Sequence, residues 1–91
     1  MKITDIRIRK TSIEGKMRAV VSVTFDDAFV VHDIKIIEGN DKMFVAMPSR
    51  KTPTGEFKDI VHPITAAARE ELHNAIMARY EEYLKEDHAE E

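Results

Sequence analysis

From Lys2 to Lys10 apolar and charged positions alternate, with Ile6 and Ile8 on one side and Asp5, Arg7 and Arg9 on the other. A period of two with one charged face predicts a half-buried β-strand. Glu14-Gly15 marks the first turn. Met17 to Phe25 alternates again: Met17, Ala19, Val21, Val23 and Phe25 share one face, while Arg18, Val20, Ser22 and Thr24 make a mixed opposite face. Asp26-Asp27 predicts a tight polar turn. Phe29 to Ile37 is apolar almost throughout, the pattern of a strand covered on both faces. In so short a chain one cover is a helix, and a partner subunit is the candidate for the other. Glu38-Gly39-Asn40-Asp41 marks the next turn.

The stretch from Met43 to Pro63 contains all three prolines, Pro48, Pro53 and Pro63. The apolar run Phe44 to Met47 stops at Pro48, which fixes φ and offers no N–H to a ladder. A polar, basic loop, Ser49 to Thr52, follows, and Thr54-Gly55 supplies a turn because glycine accepts positive φ. Phe57 to His62 reads as another short strand. The period then changes. Ile64, Ala68, Leu72, Ile76 and Tyr80 recur every four residues, with Ala75, Tyr83 and Leu84 widening the stripe. This predicts an amphipathic helix to about Lys85, opened by Pro63 or capped by Thr65. The expected fold is α+β: an antiparallel sheet of about five short strands followed by one C-terminal amphipathic helix, dimerising through the sheet. A single domain spans residues 1–86, and 87–91 reads as a charged, disordered tail.

Charge changes this picture by being unevenly spread. The net charge is −3, yet residues 1–18 carry +4, 19–41 carry −4, 42–58 carry +3 and 59–91 carry −6. A mildly acidic total argues against bulk, nonspecific polyanion binding. Two basic segments can still bind phosphate locally, because exposed charges act over only about 8–10 Å at ordinary salt. The absence of cysteine fits a reducing compartment. The charged N-terminus lacks the apolar core of a signal peptide, and no apolar run reaches the roughly 20 residues of a membrane span. The expectation is a cytoplasmic protein without a membrane partner.

Little in the sequence points to catalysis. There is no glycine-rich phosphate loop and no paired-histidine metal motif. His32 and Asp33 are strand neighbours, which point to opposite faces and serve poorly as a base and its orienter. His62 adjoins Pro63, where it caps the helix or fills a corner. Tyr80 and Tyr83 fall on the helix stripe and read as core. The chain is read as a non-enzyme with no cofactor, no metal and no small-molecule substrate.

Three segments carry a family resemblance: Val30-Val31-His32-Asp33-Ile34, Phe44-Val45-Ala46-Met47-Pro48-Ser49-Arg50, and Gly55 to Ile64 with its Glu-Phe-Lys-Asp-Ile-Val-His-Pro core. Ile3 to Arg7 and Met17-Arg18-Ala19 add to it. Over about residues 2–80 the chain resembles the stage V sporulation protein G, or septation protein G, family. The resemblance implies a small bacterial α+β protein that forms a homodimer through its sheets. It also implies a site-specific DNA-binding regulator, with RNA as a second ligand, linked to septation and sporulation. It further implies that the start of the helix, here Thr65-Ala66-Ala67-Ala68-Arg69, helps choose the sequence. Physics points to the same place. A helix N-terminus favours phosphate, and nearby Lys and Arg release counterions. The expected nucleic-acid-binding residues are Arg50, Lys51, Lys58, Thr65, Ala66 and Arg69, with Arg50 and Arg69 the candidates for reading bases and Lys51 and Lys58 for phosphate. The second reading is a protein-interaction adaptor of cell division that binds no nucleic acid.

Overall fold

A computed structural model describes residues 2–11 and 15–86. Six strands precede one helix: β1 (Ile3–Thr11), β2 (Met17–Phe25), β3 (Phe29–Glu38), β4 (Met43–Ala46), β5 (Ser49–Lys51), β6 (Phe57–Asp59) and α1 (Ala66–Lys85). The first four form an antiparallel sheet in the order β1-β2-β3-β4, and β5 and β6 form a separate two-stranded ribbon. The α+β class is the one the periodicity predicts, with one strand more than expected. Glu14 of the expected first turn and the expected tail at 87–91 lie outside the described residues.

The alternation of β2 explains the core. Ala19, Val21 and Val23 are completely buried on one face of the sheet, where they meet Ile34 and Ile36 of β3. Leu72, Ile76 and Tyr80 of α1 complete this cluster, and Ile6, Ile8, Val45 and Met77 pack around it. Tyr83 is also buried, so both tyrosines serve the core as expected. The helix packs against β1 and β4, the two outer strands, and so spans the face. A helix long enough for that crossing can cover only one face of the sheet.

The turns follow from backbone chemistry. Asp26 and Asp27 both take positive φ, 53° and 50°, and Ala28 N–H donates to the Phe25 carbonyl at 2.9 Å. Left-handed residues at both central positions suit the twist of a hairpin, and Asp tolerates them better than most residues. Thr4 Oγ1 accepts from Asp27 N–H at 2.9 Å, and Lys2 N–H donates to Asp26 Oδ1 at 2.9 Å, which ties the start of β1 to this turn. In the β5–β6 loop, Gly55 N–H donates to the Thr52 carbonyl at 3.0 Å and Gly55 has φ of +91°. Pro53 sits at the first central position of that turn, which its fixed φ suits.

Four expectations are corrected. First, Pro63 does not open the helix. Thr65 is the N-cap, its Oγ1 accepting from Ala68 N–H at 3.0 Å. Ile64 therefore precedes the helix and is 87% exposed, and Ala68 and Leu84 are exposed as well. Second, Ser49–Lys51 is a strand, because it finds a partner in β6. Third, β6 stops at Asp59, three residues short of His62, although Ile60 N–H still donates to the Pro48 carbonyl at 2.7 Å. Fourth, Met17 does not share a face with Ala19, because a bulge between them sets Met17 against Ile37; on that second face of β3 Val30 and His32 are exposed and Ile37 is half-buried, with no cover among the described residues. A bulge lies opposite Ser22, with Val23 facing Val31 and Val21 facing Ile34, and Asp33 in it has φ of +64°. Simple alternation between His32 and Asp33 does not survive that insertion.

Truncating Leu72 or Ile76 to Ala removes apolar volume from the contact between helix and sheet. Each substitution is expected to cost about 2–5 kcal/mol, read as a lower midpoint in thermal or urea unfolding. A variant that unfolds with the parent contradicts this packing.

Candidate nucleic-acid interface

The expected site residues fall into two groups. Arg50, Lys51 and Lys58 lie on the β5–β6 ribbon, and all three are exposed. Arg50 and Lys58 are direct cross-strand partners, and Lys51 pairs with Phe57. Like charges opposite one another destabilise a ladder, so this pair is better accommodated with an anion between its members. The ribbon makes no extensive contact with the four-stranded sheet or with α1.

Thr65, Ala66 and Arg69 form the second group, at the start of α1. Thr65 satisfies Ala68 N–H through its side chain and Arg69 N–H, at 3.1 Å, through its carbonyl. The N–H groups of Ala66 and Ala67 have no protein partner among the described residues. The first turn holds no acidic residue, and its exposed alanines present only methyl groups. Ala66 and Arg69 line a groove between α1 and β4 together with Lys42, Phe44 and His73. The chain thus brings Arg50 to Lys58, and Ala66 to Arg69. It joins the two groups by the segment 60–64 rather than packing one on the other. Lys42 and Phe44 were not among the expected site residues; the available signal was an aromatic in a short strand directly after a Gly-Asn-Asp-Lys turn.

The arginines outside this region all have a polar partner. Arg7 Nε lies 2.9 Å from Asp5 Oδ2, and that hydrogen bond holds the Asp5 carboxyl below its ordinary range. Arg18 pairs with Glu38 at 3.4 Å, and Arg79 with Glu82 at 3.6 Å and Glu86 at 3.4 Å. Arg9 Nε donates to Ser22 Oγ at 3.3 Å, and that nearly buried hydroxyl lies 2.8 Å from His32 Nδ1. His32 is therefore tied into the sheet. His62 caps no helix; its Nδ1 lies 3.0 Å from the Pro63 carbonyl. Lys42, Arg50, Lys51, Lys58 and Arg69 have no carboxylate within 4.0 Å among the described residues, and neither do Lys2, Arg9, Lys10, Lys16, Lys35 and Lys85; what sets the ribbon apart is the direct opposition of Arg50 and Lys58. Among the described residues, no group of three or more His, Asp and Glu could hold a metal ion, and no helix is long and apolar enough to cross a membrane.

Fold and surface together define a small α+β protein with a basic ribbon standing clear of its core. The model of the SpoVG family matches residues 1–82. A protein of Clostridium botulinum (strain Alaska E43 / Type E3), named "Putative septation protein SpoVG", is 63% identical over 91 residues, covering 100% of both chains. Proteins of the same name from Clostridium acetobutylicum and Heliobacterium modesticaldum are 64% identical over 87 residues and 61% over 84. The first alignment covers 96% of this chain and 92% of the relative, the second 92% and 94%. The chain belongs to the SpoVG family.

Proposed function

We propose that this protein is a homodimeric, site-specific DNA-binding regulator, with RNA as a second ligand, acting in septation and sporulation. The septation role follows from the names of its relatives. The observation that supports DNA binding most is the direct opposition of two exposed cations, Arg50 and Lys58, on the ribbon with Lys51 beside them, together with Arg69 and Lys42 in the groove at the helix start. Unpaired cations on an exposed ribbon are available to phosphate and release counterions when they bind it.

Roles follow from geometry. The opposed Arg50 and Lys58 grip a phosphate between them. Lys51, on the other side of the ribbon, contacts backbone and fixes position without reading sequence. The unpartnered N–H groups of Ala66 and Ala67 receive a second phosphate, in keeping with the affinity of a helix N-terminus for anions. Thr65 holds that turn open by capping Ala68. Arg69, one turn into the helix, has the forked donor geometry that matches guanine. The open face of the sheet, where Met17, Val20 and Ile37 are half-buried, supplies the dimer contact. Two copies then present two basic ribbons at a fixed spacing, which sets a half-site separation.

Arg50→Ala, Lys51→Ala and Arg69→Ala are expected to weaken DNA binding while each changes stability by less than about 0.5 kcal/mol. Lys51→Ala lowers affinity equally for cognate and random duplex and reduces the salt slope by about one unit. Arg69→Ala narrows the gap between cognate and random by about 1–3 kcal/mol. Fluorescence anisotropy across a salt series checks all three. Unchanged binding in the triple variant moves the site to Arg7, Arg9 and Lys10, and salt-independent association favours an apolar adaptor instead. In sedimentation at micromolar concentration the dimer is expected to persist; a species of 10.4 kDa throughout contradicts it.

A further inference from the structure

The groove between β4 and α1 has a composition that phosphate binding does not require. It encloses about 470 Å³. Val45, Met47 and Leu72 make its lining apolar, and Phe44 contributes an aromatic ring that is 46% exposed. Lys42, Arg69 and His73 supply positive or donor groups against a single carboxylate, Glu70. β4 is the last strand of its sheet, and no strand among the described residues pairs with its outer edge.

The ring of Phe44 lies beside the Gly39 turn. A Cβ added at Gly39 would lie 2.7 Å from the Lys42 carbonyl oxygen and 3.4 and 3.5 Å from Cδ1 and Cε1 of Phe44. The bare glycine thus lets the turn close, with Gly39 N–H donating to the Lys42 carbonyl at 2.8 Å, while its backbone backs the ring. An aromatic side chain that is half-exposed and supported from behind is a stacking platform. Positive groups beside such a platform are the arrangement by which proteins seat single-stranded nucleic acid, one base on the ring and its phosphates on the cations. A base inside a duplex cannot reach a groove floored by a helix and a strand edge, because both of its faces are already stacked.

We propose that the β4–α1 groove seats an unpaired base of single-stranded DNA, with Phe44 as the stacking partner and Lys42 on the flanking phosphate. Gly39 acts as a positioning residue. The proposal rests on the DNA-binding reading above and adds to it a seat for an unpaired base beside the duplex contacts of the ribbon.

The test compares a short single strand with the duplex of the same sequence by anisotropy, at matched salt. A single strand carries less charge per length, so purely electrostatic binding favours the duplex. The expected result is that the parent binds the single strand at least as tightly. Phe44→Leu, which keeps an apolar side chain and removes the ring, lowers single-strand affinity about tenfold and leaves duplex affinity unchanged, while Phe44→Tyr retains it. Sedimentation of both variants separates stacking from any change in assembly. Should Phe44→Leu fail to fold, Phe44→Met, which also removes the ring, and the parent's own single-strand to duplex ratio decide the matter. A parent that favours the duplex, or single-strand affinity indifferent to Phe44→Leu, overturns the groove while DNA binding stands. A parent that binds neither polymer at low salt overturns both.

Discussion

One helix has one face of one sheet to cover, and the rest of the molecule is arranged around that shortage. Leu72, Ile76 and Tyr80 close over Val21, Val23, Ile34 and Ile36, and this single contact supplies the core of the domain. In a chain of 91 residues such a core leaves little in reserve. Everything that does not take part in it is pushed outward: the second face of the sheet, the ribbon of β5 and β6, and the segment 60–64 that leads into the helix. Phe57, Ile60 and Ile64 are 71%, 64% and 87% exposed for this reason.

The same division sorts the charges. Within the four-stranded sheet and along the helix, arginines are tied to carboxylates or to the Ser22 hydroxyl. On the ribbon and at the helix start they are not. A ribbon that contributes nothing to the core can tolerate Arg50 opposite Lys58, an arrangement that would be costly inside the sheet. Pro48 makes the separation possible by ending β4 and refusing it a further ladder bond, so that β5 pairs with β6 rather than extending the sheet.

How much was legible in the sequence depended on whether a residue's role was periodic or pairwise. The bounds Met17–Phe25 were read to the residue because alternation marks a strand with one buried face, but the bulge that moves Met17 to the face of Ile37 leaves no such mark. The helix stripe was legible from Leu72 to Tyr83, but Ile64 kept the four-residue spacing by coincidence: the Thr65 cap bond places it outside the helix, and spacing alone cannot show a cap. Ser49–Lys51 looked like loop because three polar residues have no period, and it becomes a strand only through its partner, β6. The bulge at Asp33 and the Arg9–Ser22–His32 contacts join residues distant in sequence and leave no local mark. The basic residues were legible as a list, but the pairing of Arg50 with Lys58 and the grouping of Arg69 with Lys42 and Phe44 required the fold.

The central claim is that the basic ribbon and the helix start, both outside the core, are the surface that meets nucleic acid. Backbone amide chemical-shift mapping during titration with duplex DNA at low salt tests it most directly. The account predicts that the largest shifts fall on Arg50, Lys51, Lys58 and Ala66 to Arg69, while the amides of Val21, Val23 and Ile36 stay in place. Shifts centred on Arg7, Arg9 and Lys10 with the ribbon unmoved would contradict it.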